Sequence, residues 1–486
     1  MNTEIRQLEP RAVWNKFADL NAVPRPSKKE ERVIAFMKDF GASLSLEVIE
    51  DSVGNVIIKK SATVGMEDRK PIVMQSHLDM VHQKNNDTNF DFLTQGIEMH
   101  VVGDWVKANG TTLGADNGLG VATIMAVLES NDISHPSIEA LFTIDEETGM
   151  TGAMGLKGGL LNGAILLNLD TEEDNEIGVG CAGGIDVTAK RDYNEESTPE
   201  TKIGYKIEVN GLQGGHSGMD IHKGLGNANK IMNRILFDGF ENYGLRITEI
   251  DGGSLRNAIP RESFAVVAID VVHEVDFLYN VGEFIRSIQT ELKSIEPYLA
   301  ISLTKVDTPE LIMDLGVQEG LTRALYAAWN GVYKMSLDIE GLVETSNNIA
   351  RVVVKDGHIK IGCLTRSSVE STKKDLALTL RSTFELTGCE VIMSGDYPGW
   401  APDMDSSILK VLTGLYETMY SEKPHVAACH AGLECGILGT NYPEMEMISF
   451  GPNIKGAHSP DERVQISSVN KFWRFLLEIL KNIPEA

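Results

Sequence analysis

The chain has 486 residues, a hydrophobic fraction of 42% and a formal net charge of −26. Its length predicts two or more domains, and its acidic surface argues against nucleic acid and membrane partners, because both carry negative charge. No stretch approaches the roughly 18 consecutive apolar residues that a membrane-spanning helix needs.

The cysteines and the N-terminal residues indicate a cytoplasmic location. The N-terminus lacks a basic region followed by an apolar block, so no secretion signal is expected. Five cysteines are too few and too scattered for a disulfide framework, and they favour a reducing compartment. They are Cys181, Cys363, Cys389, Cys429 and Cys435.

The N-terminal part predicts two helices followed by a pair of strands. Apolar residues recur at helical spacing over 13–20. The sequence Ser27-Lys-Lys-Glu30 has the form of a capping box, which predicts a second helix that ends near Gly41. Segments 46–49 and 56–59 favour a strand pair.

An alternation of strands and helices follows. Strands are predicted over 72–76, 138–144 and 164–169, and a helix over 120–128. This alternation predicts an α/β domain with a largely parallel central sheet.

A second domain is predicted from a change of pattern near Val187. Amphipathic strands over 205–209 and 264–272 alternate with helices such as 226–236, which indicates an α+β domain. The turn-rich stretch 397–402 suits a hinge, and the α/β pattern then returns. We therefore expect a domain of residues 187–398 inserted into a first domain of residues 1–186 and 399–486.

Polar loops follow or flank the predicted strands of the first domain. They are Ser76-His77-Leu78-Asp79, Gly114-Ala-Asp116-Asn-Gly118, Asp145-Glu146-Glu147-Thr-Gly and Asn168-Leu-Asp170-Thr-Glu172. The carboxyl ends of the strands form the ligand crevice of an open α/β sheet, so one imidazole and at least five carboxylates would share one rim. Carboxylates that lie this close together stay ionised only when cations offset their mutual repulsion. Nitrogen and oxygen donors suit zinc, manganese or cobalt, and metal pairs serve hydrolysis.

These motifs, in this order, resemble the M20 family of metallopeptidases. Further motifs that fit are Gly456-Ala-His458-Ser-Pro, Gly214-Gly-His216-Ser-Gly and Asn257-Ala-Ile-Pro260. The motif His430-Ala-Gly-Leu-Glu434 narrows the resemblance to the branch that hydrolyses aminoacyl-histidine dipeptides. The resemblance implies a catalytic domain of the dinuclear-zinc exopeptidase type with an inserted α+β lid domain.

The resemblance also implies catalytic roles. Two divalent metals, zinc or alternatively manganese or cobalt, would be bridged by Asp116. The implied protein ligands are His77, Asp116, Glu147, Asp170 and His458. Asp79 would orient the His77 ring, and Glu146 would act as the general base.

Substrate contacts are implied for five further residues. His216 would donate to the developing oxyanion, and Asn257 would help to hold the substrate. Arg366 would bind the free carboxylate, although a surface arginine at a strand end explains the same pattern. Gly432 and Glu434 would line the cleft, and Glu434 could meet the substrate's α-amine.

The sequence of the inserted domain predicts an internal duplication. Single-lid relatives carry Asn-x-Ile-Pro followed by Asp-x-Arg within one repeat. Here Asn257-Ala-Ile-Pro leads to a stretch without the arginine, whereas a second stretch, 344–350, leads to Arg366. We therefore expect a lid of two divergent copies, and we also expect a homodimer.

The implied activity is hydrolysis of unblocked dipeptides, with a preference for Xaa-His dipeptides such as β-Ala-His (carnosine). Other M20 activities, namely carboxypeptidase or N-acyl amino acid deacylase, share the metal chemistry and stay open. A non-enzymatic metal-binding relative and a sugar or phosphate hydrolase are the remaining alternatives.

Overall fold

The computed structural model describes residues 2–486, which form two compact units. Unit 1 comprises the chain up to Gly180, Trp400–Ala428 and Leu433–Ala486, and unit 2 comprises Cys181–Gly399 and Cys429–Gly432. The sequence prediction had set these boundaries near 186 and 399. Every helix in the described part of the chain is too short or too polar to cross a lipid bilayer.

Twelve strands belong mainly to unit 1. They are β1 (Glu47–Glu50), β2 (Val56–Lys60), β3 (Ile72–His77), β4 (Met99–Val102), β5 (Trp105–Ala108), β6 (Ile138–Thr143), β7 (Ile165–Asn168), β8 (Glu176–Cys181), β22 (His425–Cys429), β23 (Glu446–Ser449), β24 (Ile454–Lys455) and β25 (Arg463–Gln465). Eight of them form one sheet in the order β1-β2-β6-β3-β7-β23-β8-β22, and the other four form a small sheet in the order β24-β25-β5-β4.

The middle of the large sheet is parallel. Strands β6, β3, β7 and β23 pair in parallel, whereas β1, β2 and β8 pair antiparallel with their neighbours. Every residue of β3, β6 and β7 is buried, as expected for strands covered on both faces. The predicted α/β fold is confirmed, with the parallel arrangement confined to the centre of the sheet.

Among the described residues, eight helices belong to unit 1. They are α1 (Arg11–Leu20), α2 (Glu31–Ser43), α3 (Ala115–Glu129), α4 (Glu146–Gly149), α5 (Thr151–Gly155), α10 (Ser407–Tyr420), α11 (Glu434–Asn441) and α12 (Ile466–Lys481), with a 3-10 turn over Ile5–Gln7. The predicted capping box of α2 is wrong. The Ser27 hydroxyl donates to the carbonyl of Met80, and the Glu30 carboxylate accepts the N–H groups of Lys28 and Asp145. Glu30 therefore joins α2 to the loop after β6.

Glu446, at the start of β23, anchors the first turn of α10. Its carboxylate accepts the Ser407 N–H (2.7 Å), the Ile408 N–H (3.2 Å) and the Ser406 hydroxyl (2.7 Å), and it pairs with Lys70 at 3.0 Å. These contacts outweigh burial and lower the pKa of Glu446 to about 2. The ionised carboxylate therefore stabilises the native state.

Glu446→Gln is expected to lower the free energy of unfolding by about 1–2 kcal/mol at pH 7, measured by urea denaturation. Because the folded pKa lies below the unfolded value, this contribution is fully present above about pH 4.5. It is lost as the pH falls toward about 2, so the two proteins should converge in acid. Glu444→Gln, at an exposed position two residues away, is the control. Equal effects of the two substitutions would refute the assignment.

Unit 2 contains one large sheet and four long helices. Its large-sheet strands are β9 (Gly183–Asp192), β11 (Lys202–Asn210), β13 (Arg246–Gly253), β15 (Ser263–Asp270), β16 (Ala300–Val306), β18 (Gly331–Met335), β19 (Val343–Lys355), β20 (His358–Ser367) and β21 (Glu390–Tyr397). Its short strands are β10 (Glu195–Ser197), β12 (Gly215–His216), β14 (Ala258–Ile259) and β17 (Leu311–Met313). Its helices are α6 (Ala228–Tyr243), α7 (Glu274–Leu292), α8 (Leu315–Ala327) and α9 (Glu370–Glu385), with 3-10 turns over Ile221–Lys223 and Val271–His273.

The large sheet of unit 2 has an internal symmetry of strand order, β16-β11-β15-β13-β19-β20-β9-β21, with β18 beside β19. One half of the sheet consists of β16, β11, β15 and β13, and the other half consists of β19, β20, β9 and β21. When the four strands of each half are numbered 1 to 4 in chain order, the first half has the order 4-1-3-2 and the second half has the order 2-3-1-4. The halves meet where β13 pairs antiparallel with β19. Each half contributes two helices, α6 and α7 to one and α8 and α9 to the other. The halves therefore share one topology and are arranged head to head.

Candidate metal centre

The carboxyl edge of the parallel strands in unit 1 gathers histidines and carboxylates. His77 is the last residue of β3, Asp170 follows β7 by two residues, and Glu147 lies in α4 directly after β6. Asp116 lies in the first turn of α3, and His458 lies between β24 and β25. The chain thus brings residues from five separate segments to one place.

Asp116 lies between the two imidazole rings. One carboxylate oxygen of Asp116 is 3.2 Å from Nε2 of His77, and the other is 3.2 Å from Nε2 of His458. Asp170 lies 3.6 Å from Nε2 of His77, and Glu147 lies 2.9 Å from Nε2 of His458. Two groups of donor atoms therefore share Asp116, and within each group the atoms lie within 4.8 Å of one another. His77, Glu146 and Glu147 form a further group at the same spacing.

Asp79 links two of the ligand-bearing segments. Its carboxylate lies 3.3 Å from Nδ1 of His77 and accepts the backbone N–H groups of Glu146 (3.0 Å) and Glu147 (3.3 Å). Burial opposes ionisation of Asp79, but these contacts prevail and lower its pKa. Asp79 thus holds the His77 ring and the start of α4 together.

The charges of the centre are arranged for cations. Burial, together with the neighbouring carboxylates, raises the pKa of Glu146 and of Asp170 well above the usual range. Contacts with Asp116 and Glu147 raise the pKa of His458 to about 11, and carboxylates raise that of His77 despite burial. Positive charge is therefore strongly favoured at this position. Metal ions would supply it and leave both imidazoles neutral.

A buried oxygen without a partner supports the same conclusion. Among the described residues, no hydrogen bond reaches Oε1 of Glu147, although this atom is buried. A buried carboxylate oxygen without a donor is costly, and a metal ion removes that cost. The donor set of imidazole nitrogens and carboxylate oxygens fits zinc, manganese and cobalt.

Glu434 lies in a buried polar layer near the centre. Its Oε2 accepts hydrogen bonds from Nε2 of Gln75 (2.6 Å) and from the Thr143 hydroxyl (2.6 Å), while Gln75 accepts one from Asn168 (2.6 Å). Burial raises the pKa of Glu434 to about 7. Since Gln75 and Asn168 each precede a predicted ligand by two residues, this layer carries the strand ends that present His77 and Asp170.

Four predicted substrate residues lie in unit 2, namely His216, Asn257, Arg366 and Gly432. His216 of β12 pairs with Ala258 of β14, and the carbonyl of Asn257 accepts the Ser217 N–H at 2.8 Å. Burial lowers the pKa of His216, and the Arg366 charge lowers it further. Arg366 is only 5% exposed and donates to the Tyr397 hydroxyl at 2.9 Å. The alternative of a surface arginine is therefore wrong.

The tautomer of His216 follows from its contacts. Its Nδ1 is approached by the backbone N–H groups of Gly218 (3.2 Å) and Met219 (3.0 Å), so this nitrogen accepts hydrogen bonds. In a neutral ring the proton then resides on Nε2, which is left as a donor.

The segment of Gly432 also belongs to unit 2, where Nε2 of His430 lies 2.8 Å from the Ser346 hydroxyl.

The sequence analysis missed two buried charged residues beside the Asp116 loop, Arg25 and Glu462. Both touch the backbone of that loop. The sequence held a weak signal for each, because Arg25 lies between two prolines and Glu462 follows the predicted ligand His458 by four residues.

Two imidazoles and paired carboxylates at the carboxyl edge of an α/β sheet are the features of a metal-dependent hydrolase. The model of Peptidase family M20/M25/M40 matches residues 73–482 of the chain. The chain belongs to this family, and the prediction of a metallopeptidase hydrolase is confirmed.

Full-length relatives are also similar to the chain. The cytosol non-specific dipeptidase of Escherichia coli (strain K12) is 43% identical over 483 residues, which cover 99% of each chain. The crystal structure of aminoacylhistidine dipeptidase from Vibrio alginolyticus superposes with a TM-score of 0.95 and 44% identity, over 100% of this chain and 99% of that one. Aminopeptidase PepT from Bacillus cereus shares the fold at 16% identity, with a TM-score of 0.58 over 98% of this chain and 99% of that one.

Proposed function

We propose that the chain hydrolyses unblocked dipeptides, with a preference for Xaa-His dipeptides such as β-Ala-His, at a centre of two divalent metal ions. The carboxylate of Asp116, with one oxygen against each of two imidazoles, is the observation that carries this proposal. The names of the relatives from Escherichia coli and Vibrio alginolyticus support the substrate class.

The proposed ligand sets follow the two groups of donor atoms. His77, Asp116 and Asp170 would hold one ion, and Asp116, Glu147 and His458 would hold the other. When bound, paired divalent ions lower the pKa of water and polarise the scissile carbonyl. Zinc is the proposed metal, and manganese or cobalt suits the same donors.

Glu146 is the proposed general base. It adjoins the proposed ligand Glu147 in α4, and its backbone is fixed by Asp79. Its side chain would accept a proton from the attacking water and deliver that proton to the leaving amine, which is the usual work of a positioned carboxylate. Asp79 would keep the His77 ring in the orientation for metal binding.

We propose substrate contacts for five further residues. Nε2–H of His216 suits donation to the developing oxyanion, since its Nδ1 is already engaged. Arg366 would bind the free carboxylate of the substrate, because a guanidinium matches that group in two-point geometry. Asn257 and Gly432 would line the substrate site, and Glu434 would favour a free α-amine over a blocked one.

The symmetry of unit 2 supports the proposal of a duplicated lid domain. Asn257 follows β13 in one half, and Arg366 lies in β20 of the other half. The two halves would then divide roles that a single lid repeat combines in relatives. We also propose that the protein is cytoplasmic and forms a homodimer. Sedimentation analysis of the purified protein tests whether it is a dimer.

A substrate comparison tests the proposed activity. The zinc-loaded protein is expected to hydrolyse β-Ala-His and to show at least about tenfold lower kcat/KM for N-acetyl-β-Ala-His, because a blocked amine leaves the buried Oε1 of Glu434 without a partner. Preferred hydrolysis of the acetylated compound would indicate the deacylase alternative. Removal of metal by a chelator should abolish turnover, and re-addition of zinc, manganese or cobalt should restore it.

A further inference from the structure

We infer that Arg25 and Glu462 are positioning residues that hold the loop carrying Asp116, and that binding of the metal pair depends on them. The inference rests on the proposed dinuclear centre and names residues outside its ligand set. Both side chains are buried, with 1% and 2% exposure respectively.

Glu462 is surrounded by four consecutive backbone N–H groups. Its Oε2 accepts from Leu113 (2.7 Å) and Gly114 (2.9 Å), and its Oε1 accepts from Ala115 (2.7 Å) and Asp116 (3.2 Å). Successive N–H groups that converge in this way form an anion-binding concavity. Both carboxylate oxygens of Glu462 are used as acceptors, so the four N–H groups of the loop all find a partner in this one side chain.

Arg25 holds the same loop from the other direction. Its Nη2 donates to the carbonyl of Gly114 (2.5 Å), and its Nη1 donates to the carbonyls of Leu78 and Asp79 (3.0 Å each). Leu78 and Asp79 directly follow His77 at the end of β3. One guanidinium therefore ties the segment of His77 to the loop of Asp116.

The glycines of the Asp116 motif make room for this guanidinium. A Cβ atom on Gly114 or on Gly118 would lie 2.5 Å from Nη2 of Arg25. Gly114 also has a φ of +69°, which favours glycine. The spacing Gly114-Ala-Asp-Asn-Gly118 is thus explained by the close approach of Arg25.

The two residues connect three ligand-bearing segments. Glu462 lies four residues after His458, so its contacts join the His458 segment to the Asp116 loop, while Arg25 joins that loop to the His77 strand. The contacts of both residues with these segments are to backbone atoms. Their loss should therefore shift the proposed ligands without removing a donor, and such outer contacts are worth about 10–100-fold in metal affinity.

Metal titration of the apoprotein tests the inference. The wild type, Glu462→Gln and Glu446→Gln are each stripped by a chelator and titrated with Zn²⁺ and with Co²⁺, with calorimetry and the visible Co²⁺ spectrum as readouts. Glu462→Gln is expected to bind metal about 10–100-fold more weakly and to change the Co²⁺ spectrum. Glu446→Gln loses a comparable backbone anchor in α10 and should keep wild-type affinity.

Wild-type affinity and spectrum in folded Glu462→Gln would overturn the inference. If that variant does not fold, Arg25→Lys decides, because one ammonium cannot replace the separate contacts of Nη1 and Nη2. It is expected to show the same loss of affinity, and unchanged affinity would overturn the inference. Failure of the wild type itself to bind two metals would instead refute the proposed function.

Discussion

Glu146→Gln is expected to lower kcat for β-Ala-His by at least about a thousandfold while two metal ions remain bound per chain. Glutamine has nearly the same shape as glutamate, but it cannot accept the proton of the attacking water. Glu146 belongs to neither proposed ligand set, so metal affinity should not change. Steady-state kinetics together with metal analysis of the purified variant measure both quantities.

The adjacent substitution Glu147→Gln provides the matched comparison. Glu147 lies 2.9 Å from Nε2 of His458 and belongs to a proposed ligand set, so its loss should reduce metal content and activity together. The two substitutions would then differ, because Glu146→Gln would lose activity and keep its metal, whereas Glu147→Gln would lose both. If Glu146→Gln kept its activity, or lost its metal, Glu146 would not be the general base.

Asp116→Asn is expected to reduce the bound metal to at most one ion per chain and to abolish measurable turnover. Asp116 is shared by both groups of donor atoms, so its loss weakens both sites at once. The neutral amide also removes a negative charge from between His77 and His458, which lowers affinity by at least about 100-fold. Equilibrium dialysis followed by elemental analysis measures the stoichiometry.

Asp170→Asn is the control for Asp116→Asn, because Asp170 belongs to one group only. Asp170→Asn should weaken the binding of one of the two ions and leave the binding of the other unchanged. If the ion that remains in Asp170→Asn bound no more tightly than the metal that remains in Asp116→Asn, Asp116 would not bridge the ions.

The positions of four proposed ligands, His77, Asp116, Glu147 and Asp170, could be predicted because each lies next to a strand or helix with a clear pattern. His77 ends the apolar strand β3, and Asp170 follows the apolar strand β7 by two residues. Parallel strands bring such residues to one edge whatever their separation along the chain. His458 has no such context, and only the family resemblance suggested its role.

Other features depend on tertiary contacts that no local pattern carries. Ser27 and Glu30 match a capping box, yet in the fold they contact Met80 and Asp145, because the packing of α2 against the sheet offers these partners. Glu434 was predicted to line the cleft, but its hydrogen bonds with Gln75 and Thr143 in a buried polar layer were not predicted. Long-range contacts of this kind override local preference.

Arg25 and Glu462 escaped prediction for the same reason. Their contacts with Gly114 span 89 and 348 residues of sequence. The glycines at 114 and 118 were visible as a motif, but the guanidinium that requires them was not. Burial of charged side chains becomes evident only when the whole fold is known.

Anomalous diffraction from a zinc-loaded crystal tests the central claim most directly. We expect two anomalous peaks about 3.5–4 Å apart with the carboxylate of Asp116 between them. One peak should contact His77 and Asp170, and the other Glu147 and His458. A zinc-saturated crystal with no peak among these five side chains, or with a single peak that leaves Asp116 out, would contradict the account.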